Sequence, residues 1–534
     1  MGNREGMPET RERGDSIASL ADEVMNRIGK PLDKWAVAAI LESIGVRDSD
    51  AARHFGKADV FALAEEVFAH CMARGWESKE GERLKELTLK EKLRRFFTFY
   101  IHGLFFALPM AGQIFAILLL GYSLWASLRF TEREGTVVAF GIILSFFVTG
   151  GFVQAIGRRA LFYLEQKHYS LARETCLRFI RVGTVMAIVV GLFTYSFDLM
   201  IPLFGRSMLP VALIYYFLLS ELWLSLAVLY ALKERVAIVV LTVAGAVIVY
   251  LLSRFTPLGI FSAHWLGLAI TDISVLAWGY HRLNQKARSV REKSGVTSLP
   301  RLSILVYSVI PYFAYGLLYF IFLFTDRLMA WSVGPKPPDY FIWFKTPYEW
   351  GLDWALISLV LSTAILEYTV NEFAKLIIPV QKFFDAFHIP DHNRFFRLFH
   401  RRQIGLLLGT AFIGSAISYL MALLLPQFLG MGSIIGNPTI RFVFLGGIAG
   451  YNLLAWGLMN SIFLFSLSRP GFVLKAISIA LALSATVSFA FSRAMGYEYA
   501  VIGLAIGSLA FGILTTWYTS KVLNQLDYYY YSAY

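Results

Sequence analysis

Runs of about twenty predominantly apolar residues recur from Phe97 almost to the end of this 534-residue chain. That is the length an α-helix needs to cross the roughly 30 Å hydrocarbon layer of a bilayer. Inside such a layer no solvent can satisfy an exposed peptide group, so these runs must fold as helices. Composition agrees: 57% of residues are hydrophobic and 16% charged, against about 45–50% and 25% in soluble proteins. A soluble globular fold is excluded. The net charge of +12 would by itself suit a nucleic-acid binder, but its distribution does not. Residues 1–95 hold 17 Lys+Arg and 18 Asp+Glu, so the polar segment is not a basic head and no nucleic-acid partner is expected.

Twelve spans are read, at about 97–127, 135–157, 181–204, 208–232, 235–253, 258–281, 303–328, 350–374, 402–425, 438–466, 471–492 and 497–521. The runs at 235–253 and 471–492 are each bounded by one short polar turn. Lys and Arg concentrate on one side: the even-numbered loops and the tail carry 23, the odd-numbered loops 9. Cytoplasmic loops carry the excess, so both termini are expected in the cytoplasm, in a bacterial-type cytoplasmic membrane. The closing run Tyr528 to Tyr531 suits an interfacial anchor.

The first 95 residues contain no apolar leader of signal-peptide type, and Gly6 stands where a myristoylation signal wants Ser or Thr. They read as a small helical cytosolic head. Asp33 or a neighbour caps a helix from Lys34 to Glu42 that Gly45 stops; Asp59 precedes a second from Val60 to Phe68, closed by Gly75; a charged helix follows from Lys79 to Arg95. Cys71 and Cys176 both fall on the cytosolic side, where no disulfide is expected. The head is expected either to dock a partner or to pack passively on the membrane portion.

The basic loops after spans 2 and 8 are alike. Residues 158–181 and 375–402 mix Arg and Lys with Leu and aromatics, as amphipathic helices at an interface do. They follow the second span of each set of six, so the two sets point the same way. Such parallel repeats are related by a pseudo-twofold axis along the membrane normal. The expected fold is therefore an all-α polytopic membrane protein of 12 transmembrane helices in two six-helix lobes. The head is residues 1–95, the N-lobe 96–281, an inter-lobe loop 282–302, the C-lobe 303–523 and a Tyr-rich tail 524–534.

Several residues carry a resemblance. Ser145-Phe146-Phe147-Val148-Thr149-Gly150, Gln154 and Arg158-Arg159 end span 2, and Gly316-Leu317-Leu318-Tyr319 lies in span 7. Phe324-Thr325-Asp326-Arg327 through Trp331, Tyr348-Glu349 and Glu372-Phe373 follow. Over roughly 97–521 the chain resembles the multidrug/oligosaccharidyl-lipid/polysaccharide exporter superfamily, and within it PelG-type transporters of the Pel exopolysaccharide. Arg327 stands where that family has Lys, and Glu349 where it has Asp. The resemblance implies two lobes around a central cavity and a glycan cargo.

Charged groups inside a bilayer cost several kcal/mol and usually face a partner or a wet cavity. Glu221 in span 4 is the deepest acid; it reads as a proton, cation or sugar-hydroxyl site, or as a neutral Glu bonded between helices. Asp272 in span 6 and Glu367 in span 8 are further candidates, and if all three point inward the lumen is acidic and can couple to H⁺ or Na⁺. Asp326 and Arg327 read as an interfacial pair, raised with Trp331 to functional candidates by the resemblance. Arg158 and Arg159 could grip an anionic pyrophosphate or serve topology alone. Pro109 with Gly112, and Pro311 with Gly316, stand at matching places in spans 1 and 7 and suggest interrupted, moving helices. His388 and His392 are split by Pro390, against a metal site. Gly446-x-x-x-Gly450 and Gly503-x-x-x-Gly507 are close-packing motifs.

No nucleophile–base pair, metal cluster or phosphate loop occurs, so an enzyme, a cofactor and a resident metal are not expected. The leading reading is export of a polysaccharide or lipid-linked glycan by alternating access, with a glycosyltransferase-complex partner on the head. A cation-coupled drug or metabolite exporter, and a non-transporting scaffold of a glycosyltransferase complex, are the alternatives.

Overall fold

The computed structural model describes residues 9–29, 31, 33–73, 88–204, 208–289, 302–383, 389–428 and 434–531. Four helices form the head: α1 (Glu9–Ile28), α2 (Lys34–Ser43), α3 (Asp48–Phe55) and α4 (Val60–Ala73). Asp33 caps α2, its carboxylate accepting from the Ala36 amide at 2.8 Å, and Asp59 accepts from the Ala62 amide at 2.7 Å at the start of α4. Ile17, Val24, Val37, Leu41, Leu63 and Val67 share one buried core, apart from the membrane portion's. From the head, α1 reaches the long helices at α12. Gly75 lies outside the described residues, as does most of the charged segment expected from Lys79. What is described of that segment joins the first span, where a Thr88–Glu91 capping box opens the helix.

The membrane portion consists of α5 (Leu89–Leu120), α6 (Glu132–Glu165), α7 (Tyr169–Met200), α8 (Leu209–Ala231), α9 (Arg235–Phe255) and α10 (Ile260–Ser289). After them come α11 (Leu302–Trp331), α12 (Thr346–Phe383), α13 (Ile389–Phe428), α14 (Pro438–Ser466), α15 (Pro470–Ala494), α16 (Val501–Asn524) and the short α17 (Leu526–Tyr531). Among the described residues eleven helices are long and apolar enough to cross a membrane, and α5 adds a twelfth if its two bent segments form one span. Each of the twelve runs read from sequence lies on one of these helices. The first run ends seven residues early, at Leu120, because Gly121 takes a left-handed cap (φ 78).

Helix packing follows a repeat. In the first half α6 packs on α7 and α8, α8 and α9 on α10, and α5 on α9; advancing every label by six reproduces the second half. The two cross-lobe packings, α6 on α11 and α12 on α5, exchange under the same operation. This is the expected pair of parallel six-helix lobes. The repeat reaches single residues. The α8–α9 and α14–α15 turns each hold a left-handed residue, Lys233 (φ 61) and Ser468 (φ 55). In each turn the same two amides reach back: Lys233 N to Tyr230 O (3.0 Å) and Glu234 N to Leu229 O (3.0 Å), Ser468 N to Phe465 O (3.1 Å) and Arg469 N to Leu464 O (2.8 Å).

Two expectations are corrected. Segments 158–181 and 375–402 are not separate interfacial helices. α6 runs on to Glu165 and α7 starts at Tyr169; α12 reaches Phe383 and α13 starts at Ile389. Extending a formed helix needs no new nucleus, and its protruding turns show the same polar-apolar pattern as a surface helix. Nor are spans 1 and 7 matching breaks. α5 bends by 58° between Phe105 and Leu108, beside Pro109, whereas α11 continues through Pro311. Pro311 frees the carbonyl of Tyr307, which lies at the exposed entry of its span; Pro109 frees that of Phe105 in mid-span.

The third left-handed residue, Lys167 (φ 63), closes the α6–α7 turn. Lys167→Gly is expected to stabilise the protein by roughly 1 kcal/mol, read as a higher Tm in detergent, because it removes the Cβ clash of that conformation.

Candidate functional site

The lobes meet along a seam formed by α6 on α11 and α12 on α5. Small residues let its helices touch. A side chain at Gly150 on α6 would strike the Phe320 ring and the Gly316 carbonyl on α11, and one at Gly103 on α5 would strike the Ala364 backbone on α12. Gly316 is thus a contact residue and not a helix break. Gly112 packs against Val243 of α9.

Polar bridges cross the seam at the end that carries the head. Arg235, opening α9, pairs with Glu367 on α12 at 2.8 Å, and Asn371 donates to the same carboxylate at 3.4 Å. Arg95 lies 4.0 Å from Glu372, Tyr100 donates to the Leu361 carbonyl at 2.9 Å, and Phe96 meets Tyr368 edge-on. On the pseudo-twofold-related side Arg158 donates to Ser468 at 3.1 Å and covers the Tyr312 ring. The Arg235–Glu367 and Arg158–Ser468 contacts are equivalent, each joining the second helix of one lobe to the fourth-to-fifth turn of the other. Arg159 lies over Phe162 and Tyr163 of its own helix. Among the described residues neither Arg158 nor Arg159 pairs with a carboxylate.

The far end is closed by a strap, residues 332–345, that leaves the C-lobe and lies across the N-lobe. Glu132 accepts from Trp343 and from Thr346, each at 3.2 Å. Arg133 donates to the Tyr340 hydroxyl at 2.6 Å, Phe344 N to Thr136 at 3.0 Å, and Phe341 N to the Leu203 carbonyl at 3.0 Å. Nothing in the sequence singled out this strap; its density of aromatics beside Pro335, Pro337 and Pro338 was the available signal.

Within the C-lobe, residues named for their family likeness converge. Arg327 pairs with Glu349 and, at 3.1 Å, with Asp353. Trp331 donates to the other Glu349 oxygen at 2.8 Å, and Tyr348 donates to Asp326 at 2.7 Å. Asp326, Tyr348, Trp331 and Glu349 are all buried. The second Asp326 oxygen is buried without a hydrogen-bond partner. The pair expected at an interface is instead the centre of an enclosed charge cluster.

The three acids read as lumen candidates do not meet. Glu221 on α8 accepts from Thr184 on α7 at 2.9 Å, and Asp272 on α10 accepts from Ser225 on α8 at 2.8 Å, both inside the N-lobe. Glu367 is held in the seam. A comparison across the repeat is informative for Asp272. The turn alignment places Ser225 opposite Asn460, and Asn460 donates to Thr516 on α16 at 2.8 Å and accepts from His400 at 2.8 Å. A neutral pair therefore does the packing in the C-lobe, so the Asp272 carboxyl is more than the contact requires. His392 is buried in α13, His388 lies outside the described residues, and no group of three metal-ligating side chains occurs among the described residues. Gly446 and Gly450 admit Val501 and Leu504 of α16, and Gly507 admits Phe322. In the tail Tyr529 is buried under Arg469 while Tyr528 stays exposed.

Neither a protein-family model nor a curated protein sequence matches the chain. Solved structures do. The chain is similar to the Vibrio cholerae MATE transporter VcmN in its bent form, with a TM-score of 0.55 and 15% identity over 82% of this chain and 98% of that one. An outward-facing multidrug resistance MATE family transporter of the MOP superfamily gives 0.52 and 15%, over 82% and 97%. The eukaryotic MATE transporter AtDTX14 gives 0.52 and 11%, over 83% and 99%. At these identities the likeness is one of fold: the chain adopts the two-lobe, MATE-type architecture of a multi-pass membrane protein.

Proposed function

We propose that this chain is a membrane transporter that carries a glycan or lipid-linked glycan across the cytoplasmic membrane by alternating access. The observation that carries the reading is the doubly bridged seam. Two pseudo-equivalent lobes meet through glycine-lined crossings, and separate sets of polar contacts close the seam at opposite ends. Breaking one set while keeping the other turns an enclosed path toward one side at a time. The glycan cargo rests on the sequence resemblance to PelG-type exporters. A second reading, a cation-coupled exporter of drugs or metabolites, is favoured by the fold likeness to multidrug MATE transporters.

Coupling to H⁺ or Na⁺ is assigned to the N-lobe acids, because Asp272 holds a carboxyl where the repeat manages with neutral partners. The 23-to-9 division of basic residues supports a cytoplasmic location for the head and both termini. The head, with its own core and a narrow contact at α12, is the docking site for a glycosyltransferase-complex partner.

Proteoliposomes holding the full chain test the cargo directly, with a tritiated neutral oligosaccharide in one arm and tetraphenylphosphonium in the other. Oligosaccharide flux supports the first reading, cation flux the second, and neither removes transport. In the arm that shows flux, Asp272→Asn and Glu221→Gln are expected to abolish its dependence on an imposed pH or Na⁺ gradient. Gradient-driven flux that survives both substitutions removes the coupling assignment.

A further inference from the structure

Half-way along the seam four aromatic rings lie nearly parallel across the lobe boundary. Phe146 on α6 stacks on Trp223 of α8 at 4.6 Å and 19°, on Phe320 of α11 at 4.9 Å and 14°, and on Phe324 at 5.7 Å and 21°. Two rings belong to the N-lobe and two to the C-lobe. The indole is fixed in place: Trp223 Nε1 donates to Ser145 at 3.0 Å, and Trp125 meets it edge-on at 5.6 Å. Gly150, one turn from Phe146, leaves the room in which the Phe320 ring lies against α6. None of the four rings is fully buried.

We infer that this stack is a sugar-binding surface: Phe146, Trp223, Phe320 and Phe324 cover one another while the lobes are closed, and take the faces of pyranose rings when the lobes part. The inference rests on the transport reading above and names the chemistry that the path recognises. An aromatic face is electron-rich, and the axial C–H groups of a pyranose are weakly positive, so flat ring-on-ring stacking suits both. Relative motion of α6 and α11 must slide or split the stack, which bares ring faces on both walls at one moment. The nearby acids turn elsewhere, Glu221 to Thr184 and Asp326 to Tyr348. Among the described residues Ser145, which holds the indole, bonds no carboxylate. A site for an organic cation would pair its rings with a counter-charge; here only the indole is hydrogen-bonded, to a serine hydroxyl, and Arg327, 5.9 Å from the Phe324 centroid, already occupies Glu349 and Asp353, which suits a neutral ligand.

The test uses the full chain in nanodiscs for equilibrium binding and in proteoliposomes for flux, with tritiated chitohexaose as the neutral probe and tetraphenylphosphonium as the cationic one. Phe146→Leu and Phe320→Leu keep apolar bulk but remove the ring. Each is expected to weaken chitohexaose binding about tenfold, the scale of one lost stacking partner. Phe320→Tyr, which keeps the ring, should stay within about twofold of wild type. Thermal melting of every variant identifies any that bind poorly because they are misfolded. Leucine variants that bind chitohexaose as wild type does, or a wild-type chain that binds only tetraphenylphosphonium, overturn the assignment; the second outcome leaves transport standing. Ring-dependent binding of chitohexaose without flux keeps the assignment and overturns transport.

Discussion

Arg327→Met is expected to cost about 3–5 kcal/mol, enough to leave little folded protein. Arg327 is the cation of the buried C-lobe cluster, bonded to Glu349 and Asp353 beside Asp326. Methionine fills much of the same space but strands Glu349 and Asp326, both enclosed, without a counter-charge. Removing one member of a buried pair is far more damaging than removing both. The double variant Arg327→Met/Glu349→Gln should therefore recover part of the loss, with the Gln carbonyl still able to accept from Trp331 and Asp326 still without its counter-charge. Asp353→Asn should change little, under about 1 kcal/mol, because the Asp353 side chain is 61% exposed. Thermal unfolding in detergent and the yield of monodisperse protein read all three. If Arg327→Met melts as wild type does, the cluster is not the structural centre described here.

On the proposed alternating-access reading, locking either end of the seam should stop flux completely. Arg235→Cys with Glu367→Cys at the head end, or Glu132→Cys with Thr346→Cys at the far end, places two thiols where the lobes now meet. Bridging each pair with a short bis-methanethiosulfonate reagent, and cleaving the bridge with dithiothreitol, tests the motion reversibly. The native Cys71 and Cys176 are both buried and in no disulfide, so unbridged wild type is the control for background labelling. Alternating access requires both ends to open in turn, so each lock abolishes flux and reductant restores it. A path that needs only one end to open would survive the lock at the other.

Span placement was legible because hydrophobic length is a local property, written in consecutive residues such as those of 438–466. The two-lobe repeat was legible too, through the recurrence of basic segments after the second span of each six. What those segments become was not. An amphipathic pattern is the same for a helix lying on an interface and for the protruding turns of a longer one, and only tertiary packing decides between 158–181 as a separate element and as the ends of α6 and α7. The same limit governed the site. Asp326, Arg327, Tyr348 and Glu349 could be named from family likeness, but that Arg327 joins Glu349 depends on how α11 and α12 face each other. Arg235 and Glu367 lie 132 positions apart, and no spacing in the sequence links them.

The two closures of the seam differ in kind. At the head end the bridges Arg235–Glu367 and Arg95–Glu372 join full opposite charges. At the far end each hydrogen bond named above has at least one neutral partner, as in Arg133 with Tyr340 and Glu132 with Trp343, while Lys345 and Glu132 attract one another without a direct bridge among the described residues. Dissolved ions screen attraction between charges over a Debye length of about 8 Å at physiological ionic strength, and they weaken a charge–dipole contact much less. Partly buried pairs such as Arg235–Glu367 are screened little, so added salt on the head side is expected to act mainly through the more exposed Arg95 and to bias, by a modest amount, which end of the seam parts first.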